Sequence, residues 1–76
     1  MNPIRILRAQ VPPDGITRRE LSHATGVSYP TLSNIEQGLT LTISDRVAQR
    51  LAKYFQVNPY SSLQEEYESY RQSLSQ

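Results

Sequence analysis

A tight turn at Gly26 joins two short helical segments, and this turn constrains the fold more than any other feature. Thr17 precedes the first of these helices, and Glu20 lies three residues later, which completes the capping-box pattern of a helix start. Gly26 ends that helix in the left-handed conformation, which costs most other residues about 1 kcal/mol. Ser28 then caps the next helix almost at once. We therefore predict a helix-turn-helix unit from Thr17 to Gln37.

Three further helical segments surround this unit. Pro3 begins the first, and the proline-rich segment 11–15 ends it. Another helix, beginning at Thr42 or Ser44, carries the broad apolar stripe of a helix packed against a core: Val47, Ala48, Leu51, Ala52 and Phe55. The pair Asn58–Pro59 ends it and begins a last helix. Because no run alternates apolar and polar residues over the length of a strand, we predict an all-α fold with five helices.

The last helix carries an apolar stripe spaced alternately by three and four residues: Tyr60, Leu63, Tyr67, Tyr70 and Leu74. This is the spacing of a seam that pairs with another helix. We expect Tyr60 and Leu63 to close the core of a domain over residues 1–64. Residues 65–76 then form a helical extension and dimerisation element, in which Tyr67, Tyr70 and Leu74 contact a partner subunit. The alternative is that they pack onto the first helix of their own chain.

The composition limits the chemistry of the chain. Its 76 residues support one compact core, with which an active-site cavity would compete. The chain has no cysteine, and its single histidine, His23, lies beside no cluster of metal-ligating residues. No apolar run approaches the length of about 20 residues that spans a bilayer. We therefore expect no enzyme activity, no metal, no cofactor and no small-molecule ligand, and we expect a soluble cytoplasmic protein without membrane contacts.

Positive charge is concentrated before residue 58. Residues 1–57 carry seven basic and four acidic side chains, whereas residues 58–76 carry one basic and three acidic ones. The basic part can face phosphates, and the acidic tail should turn away from them. In a helix-turn-helix unit the first helix crosses the phosphate backbone and the second enters the major groove. The polar side chains on this second helix are suited to that role, and we predict that the partner is double-stranded DNA.

The same unit resembles the lambda-repressor-like family of helix-turn-helix regulators, the Cro/Xre type. The matching positions are Leu21, Gly26, Val27, Ser28, Leu32, Ser33, Ile35, Glu36 and Gly38, and the resemblance covers roughly residues 3–63. It implies a compact five-helix fold and sequence-specific DNA binding through the third helix, about residues 29–37. It also implies a homodimer on a pseudo-palindromic operator and regulation of transcription as a repressor.

Carried over residue by residue, the resemblance implies the DNA contacts. The start of the second helix would contact phosphate through Thr17 and Arg18, with Arg19 adding charge. The groove-facing set would be Tyr29, Pro30, Thr31, Ser33 and Asn34. Two further DNA-binding residues would be Ser28 and Gln37. Asn34 is the strongest candidate for base reading, because a side-chain amide pairs with adenine N6 and N7, a contact of about 1–3 kcal/mol.

The family pattern also implies an ion pair between the first and third helices, here Arg8 and Glu36. An exposed pair of this kind contributes at most about 1 kcal/mol. The chain departs from the pattern at Ser22 and Thr25, which replace apolar residues of the second helix.

A further departure is the loop over residues 39–43, which carries no positive charge where the family often has basic residues. Fewer neutralised phosphates predict weak binding with a shallow salt dependence. This loop keeps a second hypothesis open, in which the helix-turn-helix fold or the tyrosine and leucine stripe binds a partner protein instead of DNA.

Overall fold

The computed structural model describes residues 1–74, and over that range it contains five helices and no strand. In chain order the helices are α1 (Pro3–Ala9), α2 (Arg18–Thr25), α3 (Tyr29–Glu36), α4 (Asp45–Phe55) and α5 (Ser61–Leu74). The all-α, five-helix prediction is confirmed. α4 ends before the predicted Asn58–Pro59 pair, because Gln56 adopts a left-handed backbone with φ of 60°.

Short polar side chains fix where four of the helices begin. Thr17, Ser28 and Ser44 each accept a hydrogen bond from the amide three residues later. Asn2 caps α1 by accepting from the amides of Ile4 and Arg5. The Asn2 side chain also donates to the backbone oxygen of Ile35 across 2.9 Å, and it is buried. The beginning of the chain is therefore tied to the end of α3.

The two residues that depart from the family pattern both bind the turn between α2 and α3. Ser22 Oγ donates to the backbone oxygen of Val27 across 2.6 Å. Thr25 Oγ1 donates to Leu21 O and accepts from the amide of Val27. Gly26 between them has the expected positive φ, of 75°. Hydrogen bonds therefore supplement apolar packing in holding α2 against α3.

All five helices contribute side chains to a single core. Its buried apolar members are Ile4, Leu21, Val27, Leu32, Ile35, Ile43, Ala48, Leu51, Ala52, Leu63 and Tyr67. α2 packs against α3 and α4, while α5 packs across α1 and α4. This arrangement leaves the outer side of α3 and the beginning of α2 on the surface.

The prediction that Tyr67 contacts a partner subunit is wrong. Its side chain is 0% exposed within its own chain, because α5 lies across α1 and α4 and turns this position into the core. The expected boundary between residues 64 and 65 falls inside α5, and Tyr67 beyond it completes the core. Tyr70 is half-buried and Leu74 is 56% exposed. Residues 75 and 76 of the predicted extension lie outside the described range.

Candidate nucleic-acid interface

The predicted contact residues lie on the surface formed by the beginning of α2 and the outer side of α3. The exposed members of this set are Thr17, Arg19, Ser28, Tyr29, Pro30, Asn34 and Gln37, and the half-buried ones are Arg18, Thr31 and Ser33. The opposite side of α3 is closed, since Leu32, Ile35 and Glu36 are buried. The sequence therefore locates the two sides of α3 correctly.

A buried carboxylate anchors the inner side of α3. Arg8 donates to both carboxylate oxygens of Glu36, at 2.8 and 3.1 Å, in a bidentate ion pair between α1 and α3. Arg8 also donates to the backbone oxygen of Ile16, across 3.0 Å. The Glu36 side chain is 0% exposed. A buried charge held by fixed donors resists displacement, so this pair sets the position of α3 relative to α1.

Arg18 is the third member of this network. Its guanidinium lies 3.4 Å from Glu36 Oε1, donates to Ser33 Oγ across 3.2 Å, and lies 5.7 Å from the centre of the Tyr29 ring. Its Nε is buried and has no hydrogen-bond partner within the described residues. Arg18 is therefore drawn onto α3, which leaves only part of its guanidinium for a phosphate.

The hydroxyl of Ser33 has an unused hydrogen. Both Arg18 Nη1 and Gln37 Nε2 donate to Ser33 Oγ, at 3.2 and 2.8 Å. A hydroxyl oxygen accepts two hydrogen bonds and donates one. Because both acceptor positions are taken, Ser33 can offer an outside molecule only its hydrogen, which suits a base acceptor or a phosphate oxygen.

Asn34 differs from its neighbours on α3 because its side-chain amide is exposed and makes no hydrogen bond within residues 1–74. Ser28 and Thr31, in contrast, bond each other through their hydroxyls across 2.7 Å. Asn34 can therefore use its amide nitrogen and its amide oxygen together on one partner. This is the requirement for a bidentate contact with a base edge.

The loop after α3 exposes Leu39 and Leu41, at 66% and 74%, and buries Ile43. It has no positive charge of its own, but Arg71 of α5 lies beside it and donates to the backbone oxygen of Gly38 across 3.1 Å. Arg71 was not among the residues predicted for this surface, because it lies 33 residues along the chain from Gly38.

An acidic side chain lies beside the expected phosphate contacts. The backbone amide of Thr17, which donates to Glu20 Oε1 across 3.0 Å, and then the Thr17 hydroxyl hold the pKa of the Glu20 carboxyl below its ordinary value. Glu20 is therefore ionised at neutral pH and occupies the positive end of α2, where it completes the predicted capping box.

Two other kinds of feature are absent from residues 1–74. No group of three or more metal-ligating side chains is close enough to hold an ion in this range. None of its helices is both long and apolar enough to cross a membrane.

The model of a helix-turn-helix family matches residues 4–61 of the chain, which include α1 from its second residue, all of α2 to α4 and the first residue of α5. No curated protein and no solved structure matches the chain.

Proposed function

The chain belongs to the Cro/C1-type helix-turn-helix family of DNA-binding regulators, and we propose that it is a repressor that reads a specific DNA sequence with α3. In this proposal α2 crosses the phosphate backbone while the outer side of α3 enters the major groove. Repression then follows from occupying a promoter or operator that another protein needs.

The observation that carries this proposal is the contrast between the two sides of α3. Its inner side is fixed by the core and by the Arg8–Glu36 ion pair. Its outer side presents the free amide of Asn34 and the free hydrogen of Ser33. Because α3 itself is already held in place, binding orders little more than these side chains, which suits recognition of a defined partner.

Asn34 is the proposed base-reading residue, paired with an adenine. Ser33 donates to a neighbouring acceptor, and Tyr29 and Pro30 provide apolar contact with a thymine methyl group. The remaining proposed contacts position the protein on phosphates and sugars, and they come from Thr17, Arg18, Arg19, Ser28, Thr31 and Gln37.

We further propose a homodimer on a pseudo-palindromic site. With Tyr67 in the core, the candidate dimer surface consists of Leu39, Leu41, Leu74 and the exposed part of Tyr70. Three of these are exposed leucines that flank the junction between α5 and the loop after α3. A two-fold contact there joins the recognition helices of two subunits. Binding of both subunits to one duplex raises the overall affinity and compensates for the few phosphate contacts of each. Their half-sites would be about 34 Å apart.

The same exposed leucines favour a second candidate function, in which the surface binds a partner protein and DNA is not the ligand. Large exposed apolar residues that cluster are typical of protein interfaces. A lack of positive charge in the loop over residues 39–43 is also compatible with a protein partner.

A binding titration tests the proposal. Duplexes are first selected for binding from a random pool, and affinity is then measured for a selected duplex and a scrambled one at two salt concentrations. We expect Asn34→Ala to weaken binding to the selected duplex by about 5- to 150-fold, which corresponds to about 1–3 kcal/mol. Binding to the scrambled duplex should stay the same. Failure of the wild-type chain to bind any duplex at low salt would reject the DNA proposal and favour the partner protein.

A further inference from the structure

We propose that Tyr67 is a positioning residue for DNA binding, which orients the loop after α3 so that the backbone amide of Leu41 donates to a phosphate. The proposal rests on the proposed function and assigns a role to the helical extension that the sequence analysis reserved for dimerisation. It is carried by the hydrogen bonds between α5 and the loop and by the geometry of one peptide unit.

The hydroxyl of Tyr67 is fixed by two hydrogen bonds to a single residue. It lies 2.7 Å from the backbone oxygen of Thr40 and 2.9 Å from Thr40 Oγ1. A carbonyl oxygen only accepts, so the one hydrogen of the tyrosine goes to Thr40 O, and Thr40 Oγ1 donates to the tyrosine oxygen. The ring itself is fully buried, which makes this an immobile anchor at the rim of the core.

This anchor determines where the next amide points. The peptide bond between Thr40 and Leu41 is trans, and in a planar trans peptide the oxygen and the amide hydrogen lie on opposite sides. Since Thr40 O points at Tyr67, the amide hydrogen of Leu41 points away from α5. Leu41 is 74% exposed, and its amide makes no hydrogen bond within the described residues. The loop therefore presents a rigidly directed donor to solvent.

The rest of α5 reinforces this arrangement. Arg71 Nε donates to the backbone oxygen of Gly38, two residues before Thr40. Tyr70 and Leu74 lie so close to Gly38 that a Cβ there would approach Leu74 to 2.8 Å. The amides of Gly38 and Leu39 are used by α3 itself. After Leu41, Ile43 is buried and its backbone oxygen accepts from Gln64 Nε2 across 2.9 Å. The loop is thus held before and after the Leu41 amide, which lowers the cost of ordering it on binding.

The position of the loop fits a phosphate partner. A recognition helix contacts the base edges with its N-terminal residues. The chain that follows α3 therefore lies farther from the bases and closer to the phosphates at the edge of the groove. Backbone amides are regular donors to phosphate oxygens. With no Lys or Arg in residues 39–43, this loop offers phosphates neutral donors, among which the Leu41 amide is held in a fixed direction.

The test combines Tyr67→Phe, which removes the hydroxyl but keeps the buried ring, with duplexes in which one phosphate is replaced by an uncharged methylphosphonate. A scan along a selected duplex locates the phosphates that the wild-type chain uses. We expect replacement of one of them, opposite the loop, to lower the affinity of the wild type by about five- to tenfold. On the natural duplex, the affinity of Tyr67→Phe should be lower than that of the wild type by a similar factor. Replacing that phosphate should lower the affinity of Tyr67→Phe no further.

Two controls make the result specific. Tyr60→Phe removes a hydroxyl that makes no hydrogen bond within residues 1–74, from the residue just before α5, and should retain the wild-type pattern. In Tyr67→Phe, replacing a phosphate near the beginning of α2 should lower the affinity as much as it does in the wild type. In the DNA-free protein, the amide resonance of Leu41 should shift in Tyr67→Phe and remain unchanged in Tyr60→Phe.

The possible outcomes separate this proposal from the proposed function. If the wild-type chain binds a selected duplex and Tyr67→Phe keeps every methylphosphonate penalty, the role of Tyr67 is rejected while DNA binding stands. If the wild type binds no duplex, the proposed function fails first. If Tyr67→Phe does not fold, a synthetic chain with an ester in place of the 40–41 peptide bond removes the amide hydrogen directly. Replacing the phosphate opposite the loop must no longer lower the affinity of that chain. A decrease as large as that of the wild type would overturn the proposal.

Discussion

Arg18 Nη1 donates to Ser33 Oγ across 3.2 Å, which joins the first residue of α2 to the outer side of α3. The same guanidinium lies near Glu36 and over the Tyr29 ring. Arg18 therefore links the expected phosphate-binding and base-reading parts of the surface, and it does so through the planar, forked shape of its guanidinium.

Arg18→Lys keeps the positive charge and removes this fork. A lysine ammonium cannot contact Ser33, Glu36 and Tyr29 together, so we expect affinity for a selected duplex to fall by about fivefold or more. The salt dependence of binding and the affinity for scrambled duplex should hardly change, because the charge remains. Arg18→Gln is the matched variant, which removes the charge and should therefore reduce both the salt dependence of binding and the affinity for scrambled duplex. Equal losses on selected and scrambled duplexes in Arg18→Lys would mean that Arg18 acts only as a phosphate contact.

Glu36→Gln should destabilise the fold, because it leaves two partly buried arginines without the carboxylate that both of them contact. We expect the free energy of unfolding in urea to fall by about 2–4 kcal/mol, somewhat below the loss for a fully buried pair. Glu68→Gln is a suitable control, since Glu68 is exposed on α5 and should change stability by less than about 0.5 kcal/mol. A Glu36→Gln effect as small as that of the control would refute the anchoring role of this carboxylate.

Removal of residues 65–76 should unfold the domain. Tyr67 is a fully buried aromatic residue, and replacing such a residue by alanine alone costs about 3–5 kcal/mol, a large part of the stability of a domain this small. We expect Tyr67→Ala to lower the unfolding midpoint strongly and the chain of residues 1–64 to lose cooperative unfolding. Circular dichroism during heating measures both. A truncated chain that still unfolds cooperatively near the wild-type temperature would show that the extension is dispensable for folding.

The capping box of α2 makes a small, pH-dependent contribution to stability. The Thr17 amide, which donates to the Glu20 carboxylate, and then the Thr17 hydroxyl lower the pKa of Glu20 in the folded chain. The contribution is therefore complete above the ordinary pKa of the carboxyl and is lost as the pH falls through the lowered value. We expect Glu20→Gln to be less stable than wild type at neutral pH and the difference to narrow in acid. Denaturant unfolding across this pH range measures it, with Glu65→Gln as an exposed control, and a difference independent of pH would contradict the assignment.

The features predicted well from sequence are those whose cause lies within a few residues. The caps at Thr17, Ser28 and Ser44 each act on an amide three residues away, and the positive φ of Gly26 is a property of the residue itself. The division of α3 into a closed and an open side follows from helical periodicity. Local chemistry therefore determined the helix-turn-helix unit almost completely.

The features that the sequence did not reveal depend on contacts between distant parts of the chain. Asn2 bonds Ile35 and Arg71 bonds Gly38, in each case across 33 residues, and no local pattern marks either contact. The error at Tyr67 has a related cause. A period of three and four residues shows that a helix has an apolar side, but it does not say whether that side meets another chain or its own core.

The most direct test of the central claim is selection of bound duplexes from a random pool by the 76-residue chain, followed by sequencing. If α3 reads bases as a member of a two-fold dimer, the selected sequences should share two inverted half-sites about one turn of DNA apart. Repeating the selection with Asn34→Ala should erase the preference at one base pair, an adenine with its thymine, in each half-site. Recovery of no common sequence by the wild type, or an unchanged preference in Asn34→Ala, would contradict base reading by α3.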